Sequence, residues 1–100
     1  MYLVREIMNC KPGKVKSMVE KFKAMGAVME KVGMKRPRIF TDVSGAPYWT
    51  IVAEMEVESL EEFFSGMEDK RLAAAGMNEI MAGYHDLVDH GRREIYKVEG

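Results

Sequence analysis

The 100 residues include a single cysteine, Cys10, so no intrachain disulfide can form, and a domain that is stable without one fits a reducing compartment, the cytoplasm. No run of about 18 apolar residues is available to span a bilayer. The opening Met1-Tyr2-Leu3-Val4 meets charge at Arg5, too early for a Sec-type signal, so neither export nor a membrane partner is expected. Charge of one sign is missing too. Fifteen Lys and Arg nearly balance sixteen Asp and Glu, which leaves no net field to collect nucleic acid. With only three prolines, no linker-like tract and no internal repeat, residues 1–100 are expected to form one domain.

Apolar residues make up 47% and charged residues 31%, the balance of an ordinary globular chain with a modest core. Residues 2–9, YLVREIMN, are rich in β-branched and aromatic side chains and predict a first strand. Pro12 then suits a helix start, and Val15, Met18, Val19, Phe22, Met25, Met29 and Val32 recur at the spacing of one buried helical stripe. Gly26 falls on that stripe, which predicts close approach to a sheet, and Gly33 is placed to end the helix. Residues 36–43 predict a second strand and Ser44-Gly45-Ala46-Pro47 a turn. In the third strand Trp49, Ile51, Ala53, Met55 and Val57 point one way, while Tyr48, Thr50, Val52, Glu54 and Glu56 point the other. Ser59 and Glu62 form a capping box for a second helix, with a break or kink at Gly66 and Asp69. Its stripe continues through Leu72, Gly76, Ile80, Gly83, Tyr84 and Leu87, His90-Gly91 ends it, and residues 92–98 alternate as a fourth strand.

This order predicts an α+β, ferredoxin-like βαββαβ fold, a four-stranded antiparallel sheet with two helices on one face. The second face, with Tyr48, Thr50, Val52 and Glu54, would stay uncovered in a monomer, and a second copy of the chain would cover it.

CKPGKVKSMVEKF, YWTIVAEMEVESLEEFF and GRREIYKV resemble the scaffold of the dimeric α/β-barrel superfamily, in particular its NIPSNAP-like and antibiotic-biosynthesis-monooxygenase-like small proteins. The resemblance spans nearly the whole chain and implies the ferredoxin-like fold, a homodimer and a ligand site within the barrel or between sheet and helices. Haem-degrading members use an Asn on the first strand, a Trp ending the third and a His on the following helix. Here Asn9 comes late, Trp49 opens its strand and His85 lies at the far end of the last helix, so that pattern is not met and no cofactor is expected.

Candidate site residues follow from chemistry. His85-Asp86-Leu87-Val88-Asp89-His90 is the densest set of potential metal ligands, but it lacks the third or fourth converging donor a metal needs and reads more simply as a polar helix end. Arg5 and Glu54 are the polar residues least at home in a sheet; they either pair with each other or hold an oxygen-rich ligand and accept a proton. Trp49 is either a core aromatic or a pocket wall beside Tyr84 and His85. Lys11 and Lys14 would activate Cys10, yet it has no base nearby and reads as inert. The ten methionines fill the core and would suit a pliable apolar pocket.

The expected function is therefore a homodimer that binds a small apolar organic ligand. One form of it is a cofactor-independent, monooxygenase-like enzyme in which His85 accepts a proton and Arg5, Trp49 or Tyr84 stabilises an oxyanion. The alternative is a non-catalytic binding or assembly module of the NIPSNAP-like type. RNA binding would require an aromatic and glycine pattern that APYWTIVAEMEV lacks.

Overall fold

A computed structural model describes all residues from Met1 to Gly100. Strands β1 (Tyr2–Cys10), β2 (Arg38–Thr41), β3 (Thr50–Val57) and β4 (Val88–Lys97) form one antiparallel sheet in the order β2-β3-β1-β4. Strand β1 is thus bonded on both edges, Val4 facing Met55 and Ile95, and Glu6 facing Ala53 and Arg93. Alternation sends Val4, Glu6, Met8 and Cys10 to the helix side and Leu3, Arg5, Ile7 and Asn9 to the other. The expected ferredoxin-like arrangement is present.

Helix α1 (Val15–Lys31) buries Met18, Phe22, Gly26, Val28 and Met29. It begins three residues after Pro12 because Gly13, at φ 78°, makes a turn first. It ends at Gly33, also left-handed, where Met34 N–H reaches back to Met29 O and Gly33 N–H to Glu30 O, a Schellman closure. Helix α1 lies against β3 and β2, as expected, but the space left by Gly26 is taken by Arg36. A Cβ there would meet Arg36 Cγ at 2.9 Å, so the missing side chain makes room for the stem of Arg36 as the chain leaves the helix.

The second helical segment is broken more often than its apolar stripe predicts. Helices α2 (Leu60–Met67), α3 (Lys70–Ala74) and α4 (Met77–Met81) precede a 3-10 turn at Tyr84–Asp86. Ser59 Oγ accepts from Glu62 N–H, as the capping box requires, and Asp69 restarts the chain by accepting from Arg71 N–H. Gly76 and Gly83, expected on the helical stripe, instead take φ of 97° and 80°, and each interrupts the helix. From α1, Lys21 Nζ donates to Ile80 O and Ala82 O at 3.1 and 2.7 Å and pins the end of α4. Strand β2 is shorter than residues 36–43, and β4 begins at Val88, so His90 and Gly91 belong to a strand and not to a helix end. A Cβ at Gly91 would sit 3.1 Å from Ile7 O, which explains glycine at that point of the ladder.

Cys10, Met18, Phe22, Ile51 and Ala53 form one core cluster, and Val28, Met29 and Leu72 a second. On the opposite face Ile7, Val52, Asn9 and Thr50 are already buried by their own chain, a correction to the expectation that Thr50 and Val52 lie bare. Phe40 and Tyr96 remain exposed there. Met18 and Ile51 have no accessible surface. Ile51→Ala is expected to destabilise the fold by about 2–5 kcal/mol, the range for deleting a buried aliphatic side chain, read from urea unfolding followed by circular dichroism.

Candidate functional site

Between the sheet and helices α1, α2 and α4 lies a cleft of about 330 Å³. Met8, Met25, Met29, Met55, Met67 and Met81, six of the chain's ten methionines, line it along with Phe22, Phe63 and Tyr84. Unbranched thioethers adapt their shape cheaply, so these walls can close on ligands of different outline. The space exists because two features prevent filling. Ala53, opposite Glu6, is small, and the interrupted α2 to α4 segment offers no continuous stripe to press onto the sheet.

Two charged residues stand among these apolar groups. Glu6 and Arg93 are cross-strand neighbours on β1 and β4, point to the helix side, line the cleft and form an ion pair through Arg93 Nε and a Glu6 carboxylate oxygen. Arg93 also lies over the rings of Phe63 and Phe64, 5.7 and 5.4 Å from their centroids, and its Nη2 is 3.7 Å from Met67 Sδ. The guanidinium therefore joins the sheet to α2 across the cleft mouth. Neither residue was expected from the sequence. The available signal was parity: Glu6 occupies the same face as Val4 and Met8, and Arg93 the same face as Ile95.

The residues singled out from the sequence are scattered. Of these only Tyr84 lines the cleft. Its ring lies 3.9 Å from that of His85, which points into solvent and does not reach the cavity. Trp49 is neither a core residue nor a neighbour of Tyr84. It precedes β3 with φ 66°, a strained value for a bulky side chain, and this turns its ring out of the strand alternation to 43% exposure. Val15, Thr41, Asp42 and Tyr48 surround it in a separate shallow groove. Strong local bonds hold it there: Cys10 N–H to Trp49 O at 2.8 Å, and Thr50 N–H to Asp42 Oδ1 at 2.9 Å. Behind them, Asn9 Nδ2 donates to Thr50 Oγ1, whose hydroxyl donates to Pro47 O.

Arg5 and Glu54 do lie side by side, Nε to Oε2 at 3.4 Å, but on the face away from the cleft. There Arg5 Nη1 also approaches Glu94 Oε1 at 3.5 Å, and Glu94 accepts from Arg92 and from the Tyr96 hydroxyl at 3.0 and 2.9 Å. Arg5 Nε is buried and off line for a true hydrogen bond, so this pair is looser than its proximity implies. His90 meets only Asp89, at 3.4 Å, and no three His, Cys, Asp or Glu side chains converge. Cys10 is buried, and burial pushes its thiol pKa up, opposite to the activation that Lys11 and Lys14 would bring.

No family model and no curated protein matches the chain. Solved structures do. A NIPSNAP domain protein from Burkholderia xenovorans superposes with a TM-score of 0.75 at 15% identity, over 99% of this chain and 95% of that one. A NIPSNAP family protein from Agrobacterium tumefaciens gives 0.71 at 17%, over 97% and 92%. A protein from Nitrosomonas europaea that carries the provisional name antibiotic biosynthesis monooxygenase gives 0.68 at 15%, over 98% of each chain. At such identities the likeness establishes the fold that these proteins share.

Two outcomes follow. The hydrogen bonds from Arg92 and then Tyr96 hold the Glu94 carboxyl below its ordinary value, so the stability it contributes is present above the unfolded carboxylate range and is lost as pH falls through the lowered folded value. The stability gap between the native chain and Glu94→Gln should therefore narrow below about pH 4.3, measured by urea titration at stepped pH. Cys10 should react with a thiol reagent at pH 8 more slowly in the folded chain than in urea, followed by absorbance.

Proposed function

We propose that the chain is a homodimer that binds a small, largely apolar organic molecule in the methionine-lined cleft, with the Glu6–Arg93 pair as the polar pole of the site. The cleft carries this reading. Its volume lies at the lower end of the range for small-molecule sites, and its walls combine apolar surface with a few convergent polar groups. A ligand placed there would bury its ring against Phe22 and the methionines and direct an oxygen towards Arg93.

The fold shared with NIPSNAP-domain proteins and with the monooxygenase-named protein supports two forms of this function. In the oxygenase form the substrate supplies its own electrons as a stabilised carbanion. Glu6 takes the proton, a role first expected of His85, and Arg93 or Tyr84 faces the oxyanion. In the other form the chain binds without turnover. The poverty of the cleft in reactive groups favours that form, since Glu6, Arg93 and Tyr84 are its only titratable residues. Pairing of two open sheet faces would cover Phe40 and Tyr96 and place the Arg5, Glu54 and Glu94 charges at the seam. No helix is long and apolar enough to cross a membrane.

Arg93→Met should weaken binding of naphthol or hydroquinone probes by about tenfold, equivalent to about 1.4 kcal/mol, in isothermal titration. Oxygen uptake with the same probes separates turnover from binding. Failure of every probe to bind the folded protein would remove the reading. Phe40→Asp should shift the protein from dimer to monomer at micromolar concentration in sedimentation velocity, with unchanged circular dichroism.

A further inference from the structure

We infer that Glu6 makes the cleft selective for neutral ligands that carry both a hydrogen-bond donor and an acceptor, such as a hydroxyl or a primary amide, and that it rejects carboxylates of the same size. This inference rests on the binding role proposed for the cleft. Arg93 is the only cation lining that space and Glu6 the only anion, and they are already paired. An apolar cleft with a lone arginine would attract acids. Here the guanidinium charge is balanced by the neighbouring carboxylate through Nε, its carbon lies over the Phe63 and Phe64 rings and Nη2 approaches Met67 Sδ, so Nη1 is the donor left for a ligand. A ligand carboxylate brought to Arg93 would stand beside Glu6 with no second cation within the lining to offset it, because like charges in a partly desolvated site repel. A neutral amide or hydroxyl meets no such opposition. Its N–H or O–H donates to a Glu6 oxygen while its own oxygen accepts from Arg93, so both members of the pair gain a partner without parting.

Strand geometry makes the pair hard to avoid. Glu6 and Arg93 are directly opposite in the β1–β4 register, and Ala53 on the other flank of Glu6 contributes no polar group. Glu6 cannot leave the cleft face without a one-residue slip of β1, which would also turn the buried Val4 to the other face.

The test uses isosteric probes at pH 7.5, where a carboxylic acid is ionised. The native chain should bind 2-naphthamide at least about tenfold more tightly than 2-naphthoate in isothermal titration. Glu6→Gln should bring the two affinities together or reverse their order, because Arg93 is then free to take the anion. Should that variant not fold, a second pair on the native chain, 2-naphthaleneacetamide against 2-naphthaleneacetate, must show the same preference for the neutral member. Equal or tighter binding of the carboxylates by the native chain overturns the selectivity and leaves the cleft as a binding site. Binding of neither member of either pair by the folded protein overturns the cleft reading and the selectivity together.

Discussion

Strand β1 is bonded along both edges, so its backbone groups are satisfied by neighbouring strands, and its side chains can leave only through the two faces of the sheet. Two adjacent residues on it, Arg5 and Glu6, are charged and point to opposite faces of the sheet. Each requires an opposite charge on a flanking strand, because an ion half withdrawn from water is costly without one. Arg5 finds Glu54 on β3 and Glu94 on β4; Glu6 finds Arg93 on β4. One dipeptide thus sets a charged network on each face. On the open face it is spread over several half-buried side chains, Arg5, Glu54 and Glu94. On the helix face it is a single pair set in apolar surroundings.

The cleft follows from the helical layer. Helix α1 packs the middle of its stripe closely, with Met18 and Phe22 buried deep against Ile51 and Ala53. The segment after β3 does not. Left-handed glycines at positions 76 and 83 cut it into short pieces, and no residue of α2 is buried. These pieces are held by Leu72 packed against Val28 and Met29, by Lys21 on the carbonyls of Ile80 and Ala82, and by Arg93 over the aromatic rings of α2. A roof attached this way leaves room beneath it that a continuous amphipathic helix would have filled, and flexible methionines line that room.

Much of this architecture could be read in the residues. The alternation of β3, the Ser59 cap and the α1 stripe depend on interactions within a few residues of each other, and each appeared near its expected place. Boundaries shifted where a turn competed with propensity, as Gly13 did with Pro12. Gly76 and Gly83 shared the spacing of an apolar stripe, and periodicity does not distinguish a glycine in a helix from a glycine that ends one. The site was less legible. Trp49 had the parity of the core, but a left-handed backbone, held by the hydrogen bond from Cys10 N–H to its carbonyl and by the Thr50–Asp42 contact, turned it outward. His85 fell in a 3-10 turn whose geometry no helical wheel describes.

The amino-acid order alone determined the succession of strands and helices, the near balance of charge, and a supply of ten methionines that suits a core or a pliable apolar pocket. These are properties of composition and short-range spacing, and they need no knowledge of distant neighbours. The tertiary structure alone decided which charges meet. Glu6 and Arg93 are separated by almost the whole chain, and only the antiparallel register of β1 and β4 brings them together over one cleft, because a ladder pairs residues by position along the strand and not by closeness in sequence.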